Sequence, residues 1–517
     1  MLNLTKNKII DTNIFYILFV CLFSFIINFY YSKFGTFPID TFLHYDSGSR
    51  ILKGELPIRD FWIVSGLTTD FLQSIFFKIF GINWFAYTFH SSLFNSFIST
   101  IVYLFFLGLK LNRFKAFIFS ISFATLSYTI SGTPFVDLHA TYFLLVVTLL
   151  IINNLNTSKK YFWPIIIFLF FLSFFSKQVP AAYAGLFYSI ILTSYFILKK
   201  NYKTLIINFS SIIFFLIFLY FLLKIFEIDL KSFYIQFIDY PRSIGSERLF
   251  NFNVTFESIF NKYKFLILPL VLLIYLKLKK KDTLEARVNF CIFVSFIGLM
   301  VFHQLMTKNQ IYIYFLVPIL FGVLQSELDL SKNKFKNFFS ISLIFLLVFI
   351  TIKYHLRFNE NRKFHELTKA ALSQSVKADT IHLSLKGLYW LNPHYSDSAQ
   401  NEIKILKKGY DKIINSNKKI MLISHYQFFD SITEKNLNSP NKTFTIDGAS
   451  MPLIGNKYFE FYKNFLKNKI DKSNINEILI FKHENIPEEV FTNYINKECF
   501  EIYEDEIFYI YKLICPK

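Results

Sequence analysis

Long apolar stretches recur over the first two thirds of this chain, and they constrain its fold more than any other feature. A bilayer core about 30 Å thick requires roughly 20 apolar residues for one helical crossing, because backbone polar groups must be paired inside the segment. We therefore predict an α-helical polytopic membrane protein with about eleven transmembrane helices, several of them short. They lie at 13–31, 85–108, 116–131, 138–154, 161–176, 179–198, 204–226, 265–278, 288–306, 310–326 and 338–354.

Composition supports this interpretation. Of the 517 residues, 53% are hydrophobic and only 18% are charged, whereas soluble domains carry about 25% charged residues. The chain is therefore not a soluble multidomain enzyme.

The net charge of +19 would ordinarily suggest nucleic acid as a partner. If the N-terminus is cytoplasmic, however, the inner loops hold 18 Lys and Arg against five acids. Short cytoplasmic loops of membrane proteins are basic, so most of the excess indicates topology and no nucleic-acid partner is predicted. The basic residues are Lys6, Lys8, Lys110, Arg113, Lys115, Lys159, Lys160, Lys199, Lys200, Lys203, Lys277, Lys279, Lys280, Lys281, Arg287, Lys332, Lys334 and Lys336.

The topology divides the chain into two predicted domains. The first helix lacks a small-residue cleavage site, so we interpret it as a retained anchor. Residues 1–354 form the transmembrane domain, with large outer loops at 32–84 and 227–263. An odd helix count places residues 355–517 outside, as a periplasmic domain.

The C-terminal domain changes pattern to short strands that alternate with amphipathic helices. Lys419–Ser424 and Glu477–Phe481 are predicted strands, and Tyr458–Lys469 and Ile486–Ile495 are predicted helices. This alternation predicts a small α/β domain.

Four cysteines divide between the two predicted domains. Cys21 and Cys291 fall in predicted membrane helices, where they are interpreted as apolar fillers. Cys499 and Cys515 flank an alternating aromatic run that predicts a terminal hairpin. They form a disulfide in an oxidising compartment or remain two free thiols, and the sequence leaves both open.

Three loops of the C-terminal domain, 390–393, 424–426 and 447–450, are rich in polar residues and are interpreted as turn and packing residues; a substrate role is the alternative. Nucleotide-binding glycine loops, paired CxxC motifs and HExxH are absent from the whole sequence. We therefore predict no nucleotide site and no structural zinc site.

The first outer loop holds the densest polar cluster. If residues 40–52 are helical, Asp40 and His44 share one face, whereas Asp46 lies well off it. These three residues suit a divalent metal such as Mn or Zn, although their spacing is not diagnostic. The loop continues into an amphipathic segment at 67–81, suited to lying on the membrane surface.

Two further candidates lie at the outer ends of predicted helices. Asp137 either caps its helix or belongs to a site, and Lys177, followed by Gln178, either snorkels to the interface or binds an anion. Acids on two outer segments and a cation on a third are expected on the same side of the membrane. These groups suit the transfer of a chemical group from a phosphate-activated donor to an acceptor hydroxyl. A carboxylate would act as general base on the hydroxyl, and the cation would bind the leaving phosphate.

Several of these segments together resemble a known family. The segments are 40–61 (DTFLHYDSGSRILKGELPIRDF), 76–81 (FFKIFG), Asp137 and 176–178 (SKQ). They resemble the first outer loop and following outer segments of GT-C integral-membrane glycosyltransferases. That superfamily includes bacterial aminoarabinose and galacturonic acid transferases and the protein O-mannosyltransferases.

The resemblance implies an inverting enzyme of the bacterial inner membrane. It would move a sugar from a polyprenyl-phosphate carrier to a lipid, glycan or protein acceptor of the cell envelope, on the outer face. Asp40 matches the favoured general base, and Asp137 would orient the acceptor or help to place a divalent metal; no cofactor is otherwise expected. The candidate substrate-binding residues are Lys177, Gln178, Arg59, His139 and Arg242, the last with a surface salt bridge as its alternative.

Two departures from the family pattern leave the base open. Many family members have an acidic residue directly after the first-loop aspartate, where this chain has Thr41. Many also have a proline a few residues after the equivalent of Phe61, whereas residues 65–67 of this chain contain none. Asp46 is the substitute for the missing acid, so Asp40 and Asp46 both remain candidates for the base.

Two other classes of protein are alternatives. A transporter or lipid flippase explains the helices, but matching halves with broken helices are not evident in the sequence. A scaffold protein whose C-terminal domain binds a partner is the third class, and in it the first-loop carboxylates would be dispensable.

Overall fold

The computed structural model describes residues 2–157, 159–250, 255–307, 313–330, 335–395, 397–484, 486 and 488–515. Some predicted features lie outside the described residues. They are Lys332, Lys334, Pro487, residues 251–254 of the second outer loop, residues 310–312 of one predicted crossing, and the side chains of Lys6 and Lys8.

The chain forms two compact units. One, here the span unit, comprises Met1–Ser32, Thr88–Phe218 and Asn251–Phe364. The other, here the sheet unit, comprises Lys33–Tyr87, Leu219–Phe250 and His365–Lys517. Most of the two outer loops, which the sequence assigns to residues 1–354, therefore cluster with the C-terminal residues.

Among the described residues, eight helices are long and apolar enough to cross a membrane. They are Asn13–Tyr31, Trp84–Gly108, Val136–Thr157, Gln178–Leu198, Tyr202–Ile225, Ile259–Leu278, Leu284–Met306 and Lys336–Glu360. The prediction of a multi-pass helical membrane protein is confirmed.

Three other predicted crossings are shorter helices in the structure, Arg113–Leu126, Phe162–Ser176 and Leu316–Asp329. At 1.5 Å per residue, a helix of 14 or 15 residues extends about 21–23 Å, less than the bilayer core of about 30 Å. The eleven predicted crossings therefore divide into eight full-length spans and three shorter helices.

The helix predicted over 116–131 ends early, at Leu126, and a 3₁₀ turn at Tyr128–Ile130 follows. Gly132 adopts φ +77°, and a Cβ there would lie 2.8 Å from Cα of Ser32, so glycine suits this close approach. The buried Arg362 donates to three loop carbonyls, those of Thr129, Ile130 and Ser131, at 3.1, 3.3 and 2.8 Å. These bonds satisfy backbone groups that leave the helical pattern just before Val136–Thr157 begins.

The spans differ sharply in burial. Buried residues make up 89% of the apolar window of Val136–Thr157 but only 6% of that of Tyr202–Ile225. Val136–Thr157 is therefore a central helix of the span unit, whereas Tyr202–Ile225 presents its apolar surface outward, as a lipid-facing helix does.

The sheet unit contains a four-stranded mixed sheet. In chain order, the strands of the unit are β1 (Val376–Lys377), β2 (Tyr389–Trp390), β3 (Ile420–Ile423), β4 (Glu477–Phe481), β5 (Phe500–Glu504) and β6 (Phe508–Leu513). β1 and β2 form a separate antiparallel pair, and the four-stranded order is β3-β4-β6-β5. β3 runs parallel to β4 and the other pairs are antiparallel. All residues of β3 and β4 are buried, which is why both are apolar runs in the sequence apart from Glu477 at the start of β4.

The helices of the C-terminal residues match the predictions in part. Phe459–Lys472 and Glu488–Thr492 fall within or beside the predicted helices, and the terminal hairpin is β5 with β6. Ala399–Asn415, an amphipathic helix that begins with the cap of Ser398, was not predicted. The predicted C-terminal α/β region is confirmed.

Cys499 and Cys515 form a disulfide that closes this terminal hairpin. Of the two alternatives left open by the sequence, pairing is therefore the one that the structure contains. Disulfides persist in oxidising compartments, so the bond fits an extracytoplasmic location of this domain.

The first outer loop folds differently from the single helix predicted over 40–52. Pro38–Thr41 and Leu43–Leu52 are separate helices, interrupted at Phe42. The Phe42 ring packs against Trp390 and Phe428, with ring centroids 5.7 and 4.7 Å apart. Asp40 and His44 therefore do not share the face of one continuous helix. The predicted amphipathic segment is the helix Leu67–Phe80.

Candidate functional site

Three charged or titratable side chains meet in the span unit. Lys177 Nζ donates to both carboxylate oxygens of Asp137, at 2.7 and 2.8 Å, and His303 Nε2 lies 3.1 Å from Asp137 Oδ1. The side chains of Asp137 and His303 are almost wholly buried, whereas 26% of the Lys177 side chain is exposed. The cluster is therefore a buried carboxylate between two nitrogen bases, with access from the lysine side.

Each residue of this cluster comes from the end of a helix. Asp137 lies in the first turn of Val136–Thr157, and His303 lies in the last turn of Leu284–Met306. Lys177 is extended between Phe162–Ser176 and Gln178–Leu198, so Gln178 begins the helix that follows it. Contact with Asp137 shows that Lys177 does not simply extend away to the membrane interface.

His139 belongs to a different network in the same unit. Its Nδ1 lies 2.6 Å from the hydroxyl of Tyr128, and its Nε2 lies 3.1 Å from Nε2 of His90. Because the Phe135 N–H donates to the Tyr128 oxygen at 2.9 Å, the phenol proton is available to His139. On a helix, His139 points about 200° away from Asp137, so the two residues face different sides.

In the sheet unit, Asp40 and Asp46 have contrasting environments. Asp40 lies in the short helix Pro38–Thr41 and is partly exposed. The Asp46 side chain is 0% exposed, and its Oδ2 lies 3.5 Å from Arg50. Arg50 also pairs with Glu55 at 2.6 Å and donates to the carbonyl of Ser439 at 2.8 Å. Asp46 is thus part of a buried ionic network.

The residues proposed for a metal site have other partners. His44 Nδ1 lies 2.6 Å from Asp70, whose other oxygen accepts from Lys442. Among the described residues, no three His, Cys, Asp or Glu side chains form a group that could hold a metal ion. Asp40, His44 and Asp46 therefore do not form a metal site in that part of the chain, because His44 turns to Asp70 and Asp46 turns to Arg50.

The two candidate arginines lie at the surface of the sheet unit. Arg59 pairs with its neighbour Asp60 at 2.7 Å and donates to the carbonyls of Gly54 and Phe226. Arg242, in the helix Tyr240–Phe250, is exposed, and no carboxylate in the described part of the chain pairs with it. Arg59 therefore contributes to loop structure, and Arg242 does not form the alternative surface salt bridge within the described residues.

Two glutamates, the buried Glu402 and the half-buried Glu484, organise the polar loops of the C-terminal region. Glu484 accepts from the backbone N–H groups of His425 and Tyr426 at 2.7 and 3.0 Å, and from the hydroxyl of Ser424. Glu402 accepts from Trp390, Asn392 and Tyr426 at 2.6–2.9 Å. These bonds support the interpretation of the loops at 390–393 and 424–426 as packing residues.

The burial of Asp46 predicts a pH-dependent stability. Burial raises the pKa of Asp46, Arg50 lowers it, and the carboxylates of Asp430 and Glu55 raise it, giving a value of about 7. An unfolded aspartate has a pKa of about 3.9, so between roughly pH 4 and 7 only the folded chain holds this proton. This contribution to stability is complete below about pH 4 and is lost as the pH rises to 7.

We therefore expect Asp46→Asn to flatten the pH dependence of unfolding. Between pH 5 and pH 8, the free energy of unfolding of the variant should rise by at least about 1 kcal/mol relative to that of the unsubstituted chain. Thermal unfolding of the purified protein in detergent at pH 5, 6, 7 and 8 measures this difference. The exposed Asp411→Asn is the control, and parallel curves for Asp46→Asn and the unsubstituted chain would contradict the assignment.

These features define the chain as a multi-pass helical membrane protein with a small mixed sheet and a disulfide in its C-terminal region. No protein-family model matches the chain, and the comparison with curated proteins finds no match. The resemblance to GT-C glycosyltransferases therefore rests on the quoted sequence segments alone.

Sequence reasoning missed several residues of these networks. His303 ends an otherwise apolar run, and an ionisable residue inside a membrane segment is itself a signal of function. Glu402 and Glu484 gave no such signal, because acids are common in amphipathic helices and loops of exported domains. Their roles depend on partners 24 and 60 residues away.

Proposed function

We propose that this protein is a GT-C-type membrane glycosyltransferase that transfers a sugar from a polyprenyl-phosphate carrier to a cell-envelope acceptor. The proposal unites the resemblance of residues 40–61, 76–81 and 176–178 with the contact between Asp137, Lys177 and His303. The contact is the observation that carries it, because ionisable groups within membrane spans are costly and mark functional sites by default.

The cluster has the chemistry of an anion site. A lysine ammonium has three N–H donors, and Asp137 accepts two from Lys177. The third N–H is available to a phosphate oxygen. We therefore assign the carrier phosphate to Lys177, and we assign Asp137 and His303 to holding the lysine in place.

Exposure supports Asp40, rather than Asp46, as the general base. A base must come within about 2.6–3.2 Å of the hydroxyl that it deprotonates. Asp40 is partly exposed, whereas Asp46 is wholly buried and faces Arg50. Asp46 is accordingly a structural residue.

The transfer step is an inverting substitution. As the acceptor oxygen bonds to the anomeric carbon, Asp40 takes the hydroxyl proton, and the bond from that carbon to the phosphate oxygen breaks. The electron pair leaves with the carrier phosphate, and a cation that binds this phosphate offsets its charge. Asp40 belongs to the sheet unit and Lys177 to the span unit. The role proposed for each residue is therefore tested by its own substitution.

The second candidate function is a transporter or lipid flippase. The buried chain of Tyr128, His139 and His90 favours it, because hydrogen-bonded histidines inside membrane spans are typical of proton relays. The same chain also satisfies buried polar groups around the non-helical segment before Val136–Thr157, as a structural network would.

A proteoliposome assay separates the two candidates. The purified protein is reconstituted with a radiolabelled polyprenyl-phosphate sugar and an envelope lipid extract, and a fluorescent lipid reports transbilayer movement. We expect label to pass from the carrier to an acceptor, with no more lipid movement than in empty vesicles. Lipid movement without any glycosylated product would reject the glycosyltransferase and support the flippase.

A further inference from the structure

A cleft of about 690 Å³ opens on the span unit, away from the residues discussed above. Among the described side chains, Asn13, Asn112 and Arg113 form its polar lining, and its apolar walls include Tyr16, Leu107 and Phe114. Ligand sites in proteins have volumes of about 300–1,000 Å³ and combine apolar walls with a few polar groups. The cleft falls within this range of volumes, and it is open to the surface, with apolar walls around a few polar groups.

The cleft lies at a membrane boundary. Asn13 lies within the helix Leu2–Tyr31, at the start of its apolar stretch Asn13–Tyr31, and Leu107 is next to the last residue of the span Trp84–Gly108. Residues 109–112 connect that span to the helix Arg113–Leu126. One end of two adjacent spans thus meets a short basic segment, made of this loop and the first turn of the helix Arg113–Leu126, which carries Lys110, Arg113 and Lys115. The sequence assigns this basic loop to the inner face.

The polar groups of the cleft are suited to an anion. Arg113 has no carboxylate partner among the described residues, whereas the neighbouring Lys115 is paired with Asp329 at 2.7 Å. The Asn13 side-chain oxygen is buried without a hydrogen-bond partner in the described structure; an amide can turn its NH₂ group to a ligand instead. Toward the described residues, Asn112 uses only its oxygen, which accepts from the backbone N–H of Lys115 at 2.8 Å.

We propose that this cleft binds the phosphate headgroup of an anionic phospholipid at the membrane face that carries the basic loops. The guanidinium of Arg113 pairs with the phosphate, because its planar fork matches phosphate oxygens. The amides of Asn13 and Asn112 donate to the same headgroup. Tyr16, Leu107 and Phe114 contact the glycerol and the upper acyl chains, as in basic pockets between membrane helices.

Native mass spectrometry of the full-length protein in detergent tests the proposal. Phosphatidylglycerol should remain bound at concentrations where phosphatidylcholine does not. Arg113→Ala should reduce the phosphatidylglycerol affinity about tenfold, because a hydrogen bond to a charged group is lost. Arg113→Lys keeps the positive charge but not the planar guanidinium, so its phosphatidylglycerol affinity should fall less than that of Arg113→Ala.

Lys110→Ala is the matched control, since it removes the same charge from the same loop without lining the cleft. It should retain the affinity within about twofold, because only non-specific attraction is affected. Equal losses in the Arg113 and Lys110 variants would overturn the proposal.

Two further measurements distinguish the source of the phosphate. Inorganic phosphate at 10-fold excess should not displace the lipid, because it lacks the parts that contact the apolar walls. Displacement by inorganic phosphate, or at least tenfold tighter binding of polyprenyl phosphate than of phosphatidylglycerol, would overturn the assignment to a phospholipid. Asn13→Leu removes a polar group of the cleft without removing a charge, and it should weaken phosphatidylglycerol binding. Unchanged binding in this variant would contradict the proposed site.

Discussion

Replacing Asp40 with Asn should reduce sugar transfer by about 10²–10⁴-fold while leaving binding of the polyprenyl-phosphate donor unchanged. The loss follows because an amide cannot accept the hydroxyl proton, and general base catalysis contributes a factor of that size. Single-turnover transfer in membranes, together with donor binding measured on the same samples, checks both parts of the expectation.

Asp46→Asn is the matched control for this experiment, because it makes the same change six positions along the chain. Asp46 is buried beside Arg50, so its variant should keep most of the transfer rate. Full activity of Asp40→Asn would reject Asp40 as the base. Loss of activity in Asp46→Asn alone, with the protein still folded, would give that role to Asp46.

Lys177→Met should impair both stability and donor binding. The substitution leaves the buried carboxylate of Asp137 with only His303 beside it, and breaking a buried ion pair in this way costs about 2–5 kcal/mol. The donor KM should rise at least tenfold, since a charge-assisted bond to phosphate is lost. Thermal unfolding in detergent and transfer rates at several donor concentrations measure the two effects.

The double variant Lys177→Met with Asp137→Asn separates the two roles. Removing both charges should recover much of the stability, because no uncompensated carboxylate remains, but it should not recover donor binding. Lys203→Met, on an exposed lysine, controls for the loss of one charge. An unchanged donor KM in Lys177→Met would exclude the phosphate role, and equal stability of the single and double variants would exclude the ion pair.

The candidate site was only partly predictable. Asp137 and Lys177 stood out in the sequence because each is a charged residue at the end of an apolar run, but each also had an ordinary explanation. Their contact, at 2.7 Å across 40 residues, joins two separate candidates into one cluster. His303, 166 residues from Asp137, completes it. No local pattern encodes that pairing, because it depends on how three helices pack.

In the first outer loop, by contrast, residues that are close in sequence do not form a shared site. Asp40, His44 and Asp46 are close in the sequence and suggested a shared face, and a metal site as an alternative. In the structure, Phe42 interrupts the helix to pack in an aromatic cluster, and His44 binds Asp70 instead. Burial of a large ring outweighs the weak preference for a continuous helix. Nearness in sequence therefore did not make these side chains partners of one another.

The sequence by itself determined the membrane class of this protein, most of its spans and the strands of its C-terminal sheet. These depend on runs of apolar residues, whose length and period act locally through solvent and backbone hydrogen bonding. Only the tertiary structure decided which crossings fall short of full length, whether Cys499 and Cys515 pair and which charged groups are buried together. Those outcomes depend on packing between distant segments, where desolvation and long-range partners outweigh local preference.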